Sequence, residues 1–319
     1  MAPSPFFSIA DGGGEPMTQT LKCWNLQSVK SWNLASCASR KLKFLVLAFA
    51  ICAAGGTTSY AQQRPLATED PETIGTGRVL LEGGFSLDTD QTNSANGLKG
   101  KVARLGTFGV SVGISPSAEI QVDGGLVQRL TVSERIPNSP LAASTTLLAG
   151  DRASGIEDLI VATKIRLRPE SPAGPAFGLR FGTKLPTAAP DKGVGLGTTD
   201  FFVSFLLART VQSVRTVGNV GLIVLGNPEM PRDPATALGF GLSVARALTN
   251  EFEVVGEINA RLTPFEKIVP AGLESRGVLR FAGRYTYAML RLDFGILVGL
   301  TSRDPGFGIS GGATYVISR

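Results

Sequence analysis

Residues 155 to 211 run GIEDLIVATKIRLRPESPAGPAFGLRFGTKLPTAAPDKGVGLGTTDFFVSFLLARTV, and their alternation decides the fold. In the first half Leu159, Val161, Thr163, Ile165 and Leu167 share one face and Ala162, Lys164 and Arg166 the other, the period of two that marks a strand wet on one side only. A second run repeats it: Phe177, Leu179, Phe181, Thr183 and Leu185 oppose Ala176, Gly178, Arg180, Gly182 and Lys184. Strands of about 9 to 11 residues with one greasy face suit a transmembrane β-barrel, closed so that every backbone group is paired, with lipid outside and water within. The expected fold is therefore all-β: an antiparallel transmembrane barrel of about twelve strands over 77–319, preceded by a signal peptide.

Working outward, the same alternation places further strands at 78–87, 102–114, 119–132, 199–209, 216–225, 237–247, 252–262, 277–285, 289–300 and 307–317. In 119–132, Ile120, Val122, Leu126, Leu130 and Val132 fall on one face, Glu119, Gln121, Asp123, Arg129 and Thr131 on the other. Residues 89–100 read as a polar loop, and 133–154 and 263–275 as long loops. Long links follow the odd strands and short ones the even strands, with the eleventh link an exception. Short turns at the periplasmic end and long loops outside give this alternation. A soluble β-sandwich is the competing reading, but an apolar face continuous over a dozen strands exceeds what water tolerates.

The mean hydropathy is +0.16, yet no run approaches the roughly 20 apolar residues of a membrane helix. The longest greasy run, 44–54, follows Arg40, Lys41 and Lys43 and precedes Ser59, Tyr60 and Ala61, the order of an export signal. Residues 1–61 are expected as a presequence cleaved between Ala61 and Gln62, with Met1 or Met17 as the start, and 62–76 as a periplasmic lead-in. A lipoprotein reading at Cys52 is the weaker one, because Ile51 stands where a small residue is wanted.

All three cysteines precede residue 62, and the chain has no histidine. Disulfides, thiolate metal sites and histidine-based hydrolysis are thereby removed from the mature chain, so neither an enzyme nor a metal or cofactor is expected. The net charge of +5 falls to +2 when the five basic and two acidic residues of the presequence are removed. No basic block remains, which argues against nucleic acid.

The motifs G-I-E-D-L from Gly155, F-G-L-R-F-G-T-K-L-P-T from Phe177, G-L-G-T-T-D-F from Gly195 and A-T-E-D-P-E-T-I-G-T-G-R from Ala67 resemble the family of outer-membrane transporters linked to the meta-pathway of phenol degradation. The resemblance covers most of the chain after residue 61. It implies a barrel and a transport or channel role, and supplies no catalytic residues.

If the polar faces line a lumen, Lys164, Arg166, Arg180 and Lys184 form a basic wall. Such a wall attracts anions, or is neutralised by Glu157, Asp158, Asp200 or a loop acid inside a plugged lumen. Elsewhere Glu253, Glu257 and Arg261 are expected to face Arg280 and Arg284, which face Arg291 and Asp293, a ladder of opposite charges. The glycine-rich 306–311 and 193–197 match nucleotide motifs only in spelling, because neither opens a helix after a strand or carries the Lys-Ser/Thr of a phosphate loop.

The functional expectation is a bacterial outer-membrane channel for small, hydrophobic or aromatic solutes, the aromatic part resting on the resemblance. Its partners are membrane lipid, the barrel-assembly machinery and the solute. The alternative is a non-conducting structural or adhesive barrel that binds through its outer loops.

Overall fold

A computed structural model of the chain describes residues 64–318; the expected presequence, its cysteines and the Ala61–Gln62 junction lie outside them. The strands are β1 (Arg78–Asn93), β2 (Leu98–Ser115), β3 (Ala118–Arg135), β4 (Arg152–Gly155), β5 (Leu159–Arg168), β6 (Ala176–Leu185), β7 (Asp200–Val211), β8 (Val214–Leu225), β9 (Ala235–Ala247), β10 (Phe252–Leu262), β11 (Arg276–Tyr287), β12 (Leu290–Gly299) and β13 (Phe307–Ser318). All but β4 form a ring: each pairs antiparallel with its neighbours, and β1 closes on β13 from Arg78 opposite Ser318 to Thr89 opposite Phe307. A twelve-strand barrel is what the alternation implied, and closure leaves no edge to pair elsewhere. β3 carries both β5, along Ala118–Asp123, and the four-residue β4, along Gln128–Thr131.

The links sort by end. Turns at 116–117, 212–213, 248–251 and 288–289, with 169–175, lie at the end where β1 begins and β13 finishes; 136–158, 186–199, 226–234, 263–275 and 300–306 lie at the other. The expected polar loop 89–100 is mostly strand. β1, β2 and β3 have 16, 18 and 18 residues and run past the ring, leaving only 94–97 as a turn. Polar residues such as Gln91, Thr92 and Asn93 extend as readily as apolar ones once a partner strand supplies the ladder, with Asp90, at φ 55°, taking up an irregularity between them and Asp88, so composition alone hid the continuation.

A second departure lies in β3. Ile120 and Leu126 are exposed as expected, but Leu130 and Val132 are buried and pack with Leu98, Val102, Leu147 and Val194. Gly106, at φ 65°, puts an extra residue into β2 relative to β1, and across from it Leu126 and Val127 are both exposed. Such a bulge switches which residues face inward, so beyond it Leu130 and Val132 turn under the loops of the long-loop end. Leu225, Ala235, Ala237 and Leu273, with Val269, make a second cluster there.

Around the ring the outward set is apolar: Leu81, Phe85, Phe181, Phe201, Phe205, Leu222, Phe240, Phe281, Leu292, Phe294 and Tyr315 are all exposed. Phe205 sits mid-strand, its ring 5.7 Å from that of Phe177. Phe205→Arg is expected to cost about 2–4 kcal/mol, the range for a cation at the bilayer midplane. Guanidinium unfolding from lipid vesicles reads this, and a cost below 1 kcal/mol would place Phe205 away from lipid.

Candidate functional site

Residues 64–76 have no regular structure, yet they lie within the ring. Arg64 donates to Thr107 Oγ1 (3.0 Å) on β2 and to the Gly311 carbonyl (3.0 Å) on β13, and its own carbonyl accepts from Arg284 Nε (3.0 Å) on β11. The Ala67 and Thr68 amides donate to Glu257 Oε1 on β10 at 2.9 and 2.5 Å. On β8 the Asn219 side-chain amide grips Glu69 like a strand neighbour, accepting from its N–H (2.6 Å) and donating to its carbonyl (2.8 Å). The Ile74 amide donates to Glu119 Oε2 (2.8 Å) on β3, and Gly77 N–H to the Gly113 carbonyl where the chain leaves to begin β1.

This path is possible because the wall is small where the segment touches it. A Cβ on Gly178 would stand 3.0 Å from Pro71 Cβ, and one on Gly84 would stand 2.2 Å from Arg64 Nη2. The glycines of the inward face make room for a chain inside the barrel, a use the alternation alone does not reveal.

The segment's acids meet the basic wall. Lys164 Nζ lies 2.9 Å from Glu119 and 3.4 Å from Glu69, with all three side chains at most 4% exposed. Arg180 reaches Glu69 (2.9 Å) and Asp123 (3.2 Å), and stacks 5.0 Å over the Phe202 ring. Arg166 pairs with Glu72 at 2.5 Å. Arg215 holds Asp70 with both arms, at 2.6 and 2.7 Å, and Glu170 at 2.9 Å. Paired forks of this kind fix geometry as well as charge.

Of the anticipated neutralising acids, Asp158 and Asp200 do pair with Lys184, at 3.4 and 3.0 Å. Glu157 instead pairs with Arg104 at 2.6 Å. The acids that meet Lys164, Arg166 and Arg180 are Glu69, Glu72, Glu119 and Asp123. The sequence carried a signal for the first two: Glu69, Asp70 and Glu72 crowd into four residues ahead of the first strand, opposite in sign to the wall.

The ladder on the far side forms in part. Glu257 pairs with Arg280 (2.8 Å) and Glu253 with Arg284 (3.1 Å), each pair in cross-strand register. Asp293 stands opposite Arg284 in register but makes its ion pair with Arg64 of the inner segment (3.4 Å). Arg291 stands opposite Thr286 and donates to its hydroxyl at 3.2 Å, without a carboxylate within 4.0 Å among the described residues. Arg261 departs most: its register partner is Arg276, a like charge. Arg261 was expected to face Arg280 and Arg284, but those two are taken in register by Glu257 and Glu253, which leaves Arg276, the first residue of β11, opposite it.

Above the segment, toward the long loops, the lumen stays open. One cavity of about 390 Å³ is bounded by Arg64, Asp88, Arg104, Arg276 and Arg280, and a second of about 310 Å³ by Asn219, Asn259, Arg261, Arg276 and Asp304. Asp88 and Arg104 are directly paired in the first. No cluster of three or more His, Cys, Asp or Glu side chains suited to a metal ion occurs among the described residues.

No protein-family model and no curated protein matches the chain. Among solved structures it is similar to an outer membrane channel from Pseudomonas putida F1, with a TM-score of 0.56 at 14% identity over 78% of this chain and 98% of that one. It is also similar to the NanC porin (TM-score 0.44, 8% identity, 76% and 99% covered) and to a mutant of the monoaromatic hydrocarbon channel TodX (0.43, 10%, 85% and 98%). At these identities the likeness is one of fold.

Proposed function

We propose that the chain is an outer-membrane channel for small solutes whose lumen is narrowed by its own N-terminal segment. The observation that carries this reading is the layered interior: two cavities on the long-loop side, then a constriction in which residues 64–74 are held by ion pairs to four strands, β5, β6, β8 and β12. Twelve strands enclose less than the water-filled pore of larger porins, so one extended chain suffices to narrow the path. An apolar solute is the finer expectation. It rests on the resemblance of the glycine-rich motifs.

The same filling favours a second reading, a non-conducting barrel that acts through its loops. Planar-bilayer recording separates them. The intact mature chain is expected to show small, discrete unitary steps in salt. Silence in the intact chain, retained after the inner segment is removed, would leave the second reading standing.

A further inference from the structure

We propose that Arg261 and Arg276 form an anion subsite in the upper lumen, built for the carboxylate of a small organic acid. What sets the pair apart is that two arginines without a carboxylate face each other across neighbouring strands, whereas Arg291, which also lacks one, faces Thr286. Lys164, Arg166, Arg180, Lys184, Arg215, Arg280 and Arg284 each have a carboxylate within 3.4 Å. Arg261 and Arg276 have none within 4.0 Å among the described residues, although they stand directly opposite each other on β10 and β11. Like charges so placed repel, and a half-buried cation without a counter-charge is costly.

The acids nearby are engaged. Asp304 Oδ2 accepts from the Gly277 amide (2.9 Å) and from the Thr301 amide and hydroxyl. Glu274 is taken by Arg303 (3.3 Å) and by the Gly272 amide (2.9 Å). Each arginine is held in place through one terminal nitrogen, Arg261 by the Gly272 and Glu274 carbonyls and Arg276 by the Thr92 carbonyl. The Nε atoms of both are buried and unbonded. The result is two guanidinium groups on the wall of the 310 Å³ cavity, beside Asn219, Asn259 and the hydrogen-bonded Asp304, with the Nη1 of each making no hydrogen bond among the described residues and so left for a ligand. A planar carboxylate matches such forks in both charge and shape. The cavity is at the small end for organic ligands, which limits the rest of the molecule to about the size of one ring.

This subsite rests on the channel reading only for the route by which the acid arrives, so binding is measured apart from conduction. The purified mature barrel in detergent is titrated calorimetrically with benzoate, with benzyl alcohol as a neutral molecule of like size and inorganic phosphate as a different anion. Saturable benzoate binding is expected, with Arg261→Gln and Arg276→Gln each weakening it about tenfold, the scale of one lost charged hydrogen bond, and Lys99→Gln leaving it unchanged. Heat-modifiable migration on unheated gels verifies that each variant is a closed barrel. Where the glutamine variants fail to close, Arg261→Lys and Arg276→Lys, which keep the charge and lose the fork, are titrated instead and are expected to weaken binding too. No saturable benzoate binding, equal binding by closed variants, or tighter binding of benzyl alcohol or phosphate would overturn the assignment. A silent barrel in the bilayer that still binds benzoate would sink the channel reading and leave the subsite intact.

Discussion

Deleting residues 64–74 raises the single-channel conductance several-fold and shifts the selectivity toward anions. Both effects follow from what the segment contributes to the lumen. It occupies cross-section, since its backbone is within hydrogen-bond reach of β3, β8, β10 and β11 at once. It also brings Glu69, Asp70 and Glu72 against one base, Arg64. Removing it leaves Lys164, Arg166, Arg180 and Arg215 with fewer acids, so the wall that is now neutralised becomes the focusing surface its sequence suggested. Reversal potentials under a salt gradient read the second effect independently of pore size. A triple variant, Glu69→Gln with Asp70→Asn and Glu72→Gln, keeps the bulk but cuts the tethers. It is expected to show flickering openings between the intact and the deleted levels. A deletion mutant with unaltered conductance and reversal potential would mean that the segment is not the constriction.

The ring itself was legible because β-strand alternation is local: Leu159 to Leu167 and Phe177 to Leu185 declare two faces whatever lies next to them. The inner occupant was not, because residues 64–76 have no period of their own, and their conformation is set by side chains far away in sequence. Glu69 meets Lys164 and Asp70 meets Arg215, contacts that span 95 and 145 residues. The ladder shows the same limit. Glu257 and Arg280 lie in the register that alternation predicts. Arg261 and Arg276 also obey that register and are like charges, which parity cannot flag. The inversion at Leu130 and Val132 escaped because a single glycine at φ 65° resets parity without changing the hydrophobic content of either strand.

Replacing Lys164 with leucine is expected to destabilise the barrel by about 3–5 kcal/mol, the usual cost of removing one member of a buried ionic cluster. Lys164, Glu69 and Glu119 have side chains 3%, 4% and 1% exposed, so water cannot take over the lost charge. Among the described residues Glu119 would keep the Gln121 amide (2.9 Å) and the Ile74 N–H (2.8 Å), and Glu69 would keep Arg180. The comparison is Lys99→Leu, which removes an exposed pair with Glu134 at 3.8 Å and should cost less than about 1 kcal/mol. In the double variant Lys164→Leu, Glu119→Leu much of the loss should return, because buried ion pairs replaced whole by apolar groups are often close to neutral. Guanidinium midpoints in lipid vesicles measure all three. If Lys164→Leu proves no worse than Lys99→Leu, water must already reach Glu69 and Glu119, and a lumen wet at that level could not have its constriction at residues 64–74.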